Sequence, residues 1–271
     1  MTLEASAGRD SGLGSAVARS AWKAAGVAEP VLDSRWLWVA AVFTGVGPLI
    51  IGYAAGSWWH QPLGAGLLFM LLLAAVRRDR PVVGMGVLAA AFAAHNAVAI
   101  TLAYRDPAGS ALIMPDAAGY YQAQVEWITT GTDPEYDWAN WVPHHLQLIV
   151  VISAFCVTSM GLLPLVEGFY QVDLMNFYVG NLLANSTQPV TALFLGWHPW
   201  SAIRGLCYMV LVYELASWTL ERVTSRVLST PSARRRRWAA ALTLFAADGV
   251  VKLLALDFVR NGLAANFIGT P

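Results

Sequence analysis

Charge is what this sequence has least of. Only 13% of its 271 residues are Asp, Glu, Lys or Arg, whereas a soluble domain carries about 25%. A chain so poor in charge has too little polar surface to cover itself in water. Acidic and basic residues balance, 17 against 17, so no global field attracts nucleic acid and that partner class is excluded. Cysteine is nearly absent. Cys156 and Cys207 both lie inside apolar runs and read as small buried hydrophobes, not as a disulfide. Residues 1–35 lack the apolar stretch of a cleavable signal and are expected to form a cytoplasmic tail, either unstructured or with a short amphipathic helix near 16–27. Also missing are a phosphate loop, a histidine-box array, a Gly-x-Ser-x-Gly elbow and a paired zinc-protease motif.

What the chain does have is long apolar runs with charge confined between them. Seven of its 17 Lys/Arg residues fall in two short blocks, at 77–80 and 234–237. The connector 104–143 is acidic instead, with Asp106, Asp116, Glu126, Asp133, Glu135 and Asp137 against Arg105. Basic loops stay in the cytoplasm, so the acidic connector is placed outside. Many of the 12 Trp, among them Trp36, Trp38, Trp58, Trp59, Trp197 and Trp238, sit near the ends of apolar runs. There an indole buries its rings and keeps its N–H wet.

These patterns predict an all-α polytopic membrane bundle of about seven crossings in the plasma membrane, N-terminus cytoplasmic. The predicted spans are 36–56, 62–76, 82–104, 144–165, 170–186, 199–223 and 238–258, most near the ~20 residues a bilayer core requires, with 62–76 somewhat short unless Trp58 and Trp59 join it. Residues 36–271 are expected to form one transmembrane domain. Segment 170–186 is the most polar span, and its alternative is a re-entrant segment lining a cavity. Within it Asn176, Gly180 and Ala184 recur every four residues, a stripe suited to close helix packing. Outside the membrane, 116–130 reads as a short helix, with Asp116 as N-cap and Gly131 as the stop.

Ionisable groups at membrane depth cost about 2.5–3.5 kcal/mol on insertion scales unless paired, so they mark candidate chemistry. His95 lies about 20 Å from the inner face at 1.5 Å per residue. His144 and His145 open the fourth crossing, His198 caps the sixth, and Arg204 is one turn below it. His60, in the first outer turn, is at the same level. The expected site therefore comprises His95, His145, His198 and Arg204 in the outer half. The three imidazoles, with a carboxylate from Asp133, Glu135 or Asp137, would suit copper or zinc. The competing reading is separate interfacial histidines, each bonded to backbone or water. Arg204 is a candidate for an anionic head group or a structural ion pair. Asp173, Glu167 and Glu214 are expected near the inner end, and Asp248 with Lys252 as an i,i+4 ion pair.

The function these features favour is an intramembrane enzyme, metal-assisted or not, acting on a lipid-like or small apolar substrate. One alternative is a transporter subunit with Asp173, Asn176 and Glu214 along its path. Another is a scaffold that docks a partner through 104–143. Membrane lipids are the expected neighbours in every case.

Overall fold

Loop chemistry and apolar run length divide the described residues into eleven helices. The computed structural model describes residues 12–132 and 138–268. The helices are α1 (Gly12–Leu32), α2 (Leu37–Ala55), α3 (His60–Arg77), α4 (Pro81–Arg105), α5 (Pro107–Ile113), α6 (Ala117–Thr130), α7 (Trp138–Ser159), α8 (Leu162–Ala184), α9 (Pro189–Gly196), α10 (Pro199–Thr224) and α11 (Pro231–Ala264). Among the described residues there is no strand, only an isolated bridge between Ser186 and Phe267. Prolines open α4, α5, α9, α10 and α11, where a missing N–H costs nothing.

Among the described residues five helices, α2, α3, α4, α7 and α11, are long and apolar enough to cross a membrane. They expose apolar side chains that a soluble protein would bury: Phe43 and Ile51 on α2, Val150 on α7, and Leu242, Leu254 and Phe258 on α11. Contiguous exposure of this kind fits a hydrocarbon surround. At 23 and 26 residues, α8 and α10 would reach roughly 35 and 39 Å, but they are more polar. Both are packed inside, and their buried faces carry Asp173 and Asn176 on α8 and Glu214 on α10. The stripe on α8 meets α4: Asn176 Nδ2 donates to Asn96 Oδ1 at 3.0 Å, and Gly180 lies against Ala103 and Ile100. Ala184 is exposed.

Several boundaries differ from expectation; α7, expected over 144–165, runs Trp138–Ser159, and α11, expected over 238–258, runs Pro231–Ala264. Residues 12–32 form a helix that packs on α3, with Ala25, Ala28 and Leu32 buried. Arg77 holds it, bonding the Trp22 carbonyl at 2.6 Å and Glu29 at 2.6 Å. α8 begins at Leu162, eight residues before the expected 170, because the turn falls at Met160 and Gly161, both at positive φ. The second basic block is helical, not loop. Thr230 caps α11, its hydroxyl accepting from Ala233 N at 3.2 Å, and the helix runs through 234–237. The two basic blocks nevertheless share one end of the bundle, where Arg237 lies 3.8 Å from Asp79.

Two large hydrophobic cores lie along the bundle, beside a small third cluster of Cys207, Val210 and Ala241 between α10 and α11. One, near the basic end, includes Leu72, Ala91, Phe169 and Tyr213. The other includes Ala99, Leu174, Tyr178 and Trp200. His95, between Ala91 and Ala99, and Asp173, between Phe169 and Leu174, fall at the level where one core gives way to the other.

Candidate functional site

Three helices deliver one ionisable side chain each to that junction. His60 is the first residue of α3, His95 lies in the middle of α4, and Asp173 lies eleven residues into α8, about 17 Å from its start. All three are buried. The carboxylate is shared: His60 Nε2 is 2.8 Å from Asp173 Oδ2, and His95 Nε2 is 2.7 Å from Asp173 Oδ1. Gln61 Nε2 donates to the same Oδ2 at 2.8 Å. The two imidazoles lie nearly parallel, centroids 6.1 Å apart, and the ring of Phe169 packs edge-on against His95 at 4.9 Å.

Close helix packing sets this geometry. Gly45 on α2 leaves no room for a side chain, since a Cβ there would meet the Ala91 carbonyl oxygen at 2.2 Å. That approach brings the Gly45 carbonyl oxygen to 3.0 Å from His95 Nδ1. Gly52, one heptad further along α2, lets the His60 Cβ and the Ser57 carbonyl sit against the backbone, and His60 Nδ1 faces that Ser57 oxygen at 3.4 Å. Each ring therefore presents both nitrogens to oxygen acceptors. A neutral imidazole has a single N–H and can satisfy only one of them.

Among the described residues this is the one group of three or more His, Cys, Asp or Glu whose ligand atoms all lie within 4.8 Å of one another. It contains His95 from the expected set but neither His145 nor His198. Asp173 corrects the expected depth: α8 starts earlier than the sequence suggested, which moves the carboxylate away from the basic end to the level of His95. Sequence reasoning placed His60 at the right level but left it out of the ligand set, and it missed Gln61. The signal available was a His-Gln pair directly after Trp58-Trp59, together with Asp173 as the lone acid of the span 170–186.

His145 and His198 lie in other surroundings. His145 Nδ1 faces the Trp141 carbonyl at 2.9 Å, the usual contact four residues back along a helix. His198 is enclosed by Trp127, Tyr178 and Trp200, with ring centroids at 5.5, 5.9 and 4.7 Å. Arg204 and Lys252 are near enough to act electrostatically on both histidines. Arg204 makes a two-armed contact with Asp248, Nε to Oδ2 at 3.0 Å and a terminal nitrogen to Oδ1 at 3.4 Å. Lys252 Nζ sits 5.1 Å above the Trp141 ring. Residues Asp133, Glu135 and Asp137, the expected carboxylate donors, lie outside the described residues.

Glu214 belongs to neither group. It is buried at the basic end, accepting from Arg234 Nε at 2.5 Å and Arg237 Nε at 2.6 Å. Glu221 receives the other arm of Arg234 at 2.8 Å and the backbone N–H groups of Leu228 and Ser229. These bonds fasten the start of α11 to α10.

Fold and site together define a class: an all-α bundle with membrane-length apolar helices and a buried His–Asp–His group between its two cores. No family model, curated protein or solved structure matches the chain.

Proposed function

We propose that this chain is an intramembrane enzyme acting on a lipid-like or small apolar substrate, with the His60–Asp173–His95 group as its reaction centre. One observation carries the reading: a wholly buried carboxylate shared by two imidazoles on different helices. Burying such groups is costly, and inside a membrane bundle they mark functional sites. Holding a bundle together does not require them, since Gly45, Gly180 and the two apolar cores already bring the helices close. Apolar rings beside the site suit an apolar substrate: Phe169 packs against His95, and Phe92 lies tilted against Phe169 with centroids 4.8 Å apart.

In this reading α2, α3, α4, α7, α8, α10 and α11 make seven crossings of the plasma membrane. The basic blocks and the N-terminus face the cytoplasm, and the reaction centre lies in the outer half. Each residue has a distinct part. Asp173 fixes both imidazoles through their Nε2 atoms, Gln61 orients Asp173, and the Gly45 carbonyl fixes the ring of His95.

The test compares apolar extracts by mass spectrometry from membranes carrying equal amounts of wild-type protein and Asp173→Asn. At least one lipid or apolar metabolite should be consumed or produced only by the wild type. Identical extracts, from cells and from proteoliposomes fed the host's own lipids, would refute the enzyme reading.

A further inference from the structure

We infer that His60 Nε2, His95 Nε2 and the Asp173 carboxylate form a binding site for one divalent transition ion of the zinc class. The inference deepens the reading above and rests on the same three residues, but it stands on a separate argument, the accounting of ring protons.

His95 is the decisive ring. Its Nδ1 is 3.0 Å from the Gly45 carbonyl and its Nε2 is 2.7 Å from Asp173 Oδ1. With Asp173 ionised, a neutral ring must leave a lone pair against an oxygen lone pair on one side. His60 repeats the pattern more loosely, at 3.4 and 2.8 Å. One arrangement of neutral rings resolves both conflicts: each Nδ1–H donates to its backbone carbonyl, and both Nε2 lone pairs and the carboxylate turn toward a common cation. An N–H to a backbone carbonyl is also the partner that orients metal-bound histidines. Protonating both rings would satisfy the same contacts with the same net charge. Two protons would each bond a single ring nitrogen, however, whereas one ion is held jointly by both rings and the carboxylate.

The donor set fits the chemistry. Two imidazoles and a carboxylate suit zinc, and three protein ligands leave a fourth position open, the pattern of catalytic zinc sites. Ligand atoms around a tetrahedral ion at ~2.0–2.2 Å stand about 3.3 Å apart, so the 2.7–2.8 Å contacts open by about half an ångström. Gln61, bonded to the carboxylate at 2.8 Å, supports a ligand without being one. The ligands come from α3, α4 and α8, so bound ion and helix packing reinforce each other.

The test uses full-length protein, purified in mild detergent through a tag without histidine. Its metal content is measured, the metal is stripped, and Zn²⁺ alone is titrated back against a chromophoric chelator. The wild type should hold about one equivalent that competes with the chelator. His95→Gln and Asp173→Asn should weaken binding by more than ~100-fold, and Gln61→Ala by ~10–100-fold, the range for residues that support a ligand. His145→Gln should bind as the wild type does. No stoichiometric zinc in the wild type would overturn the inference whether or not the variants fold, and so would binding that all four variants share. Zinc bound as expected beside unchanged apolar extracts would leave the metal site standing and sink the enzyme reading. Altered extracts without zinc would do the reverse.

Discussion

Adding one methyl group at Gly45 tests fold and site together. In Gly45→Ala the new Cβ would meet the Ala91 carbonyl oxygen at 2.2 Å and the His95 backbone nitrogen at 3.3 Å. Neither neighbour is the flexible end of a side chain, so α2 and α4 must separate by about 1 Å, a small-to-large change that costs ~1–3 kcal/mol. The same movement stretches the 3.0 Å contact between the Gly45 carbonyl and His95 Nδ1 to about 4 Å, beyond hydrogen-bond range. His95 then loses what fixes its ring, and zinc affinity should fall by ~10–100-fold. Thermal unfolding in detergent and zinc competition read the two effects separately. Gly66→Ala is the control, because nothing lies within 4 Å of its added Cβ. It should leave zinc binding unchanged and stabilise α3 by up to ~1 kcal/mol. A Gly45→Ala protein with wild-type unfolding temperature and zinc affinity would refute the reasoning.

Three further outcomes follow from other parts of the molecule. Glu214→Ala strips both guanidinium contacts from a buried cluster and should destabilise by ~3 kcal/mol in thermal unfolding, with Glu214→Met/Arg237→Met together recovering most of the loss. Cys156 and Cys207 are buried, so a maleimide that does not cross membranes should label Thr132→Cys from outside intact cells, and Arg235→Cys only after permeabilisation. The reverse pattern would invert the orientation. The Arg78 guanidinium, followed by that of Arg80, holds the Asp33 carboxyl below its ordinary range. Docking of α1 should therefore be complete above that ordinary range and weaken as the pH falls beneath it, with added salt weakening it as well, as limited proteolysis of α1 would show.

The long apolar helices were legible because run length depends on the bilayer, not on tertiary detail. α2, α3, α4 and α10 start and end within one or two residues of their expected bounds. α8 was misread for a local reason. The span expected over 144–165 runs through Pro164. That proline is instead the third residue of α8, inside the first turn where no intrahelical N–H bond is lost. That eight-residue shift, about 12 Å along the helix axis, moved Asp173 away from the basic end and hid its pairing with His95. The start of α11 carried a readable cap, Thr230-Pro231, which the run of four arginines masked. Depth could be counted from the sequence but azimuth could not: His95, His145 and His198 were all placed in the outer half, yet only His95 turns toward Asp173. Which face of each helix meets which neighbour is decided by contacts such as Gly45 on Ala91 and Asn176 on Asn96, and these are visible only once the helices are packed.

The most direct test of the central claim is X-ray absorption at the zinc edge on tag-free protein reloaded with one equivalent of Zn²⁺. A centre built from His60, His95 and Asp173 should show a first shell of nitrogen and oxygen at ~2.0–2.2 Å without sulfur, with outer-shell scattering from two imidazoles that falls to one in His60→Gln. A shell of oxygen alone, a sulfur shell at ~2.3 Å, or imidazole scattering that persists unchanged in His60→Gln would contradict it.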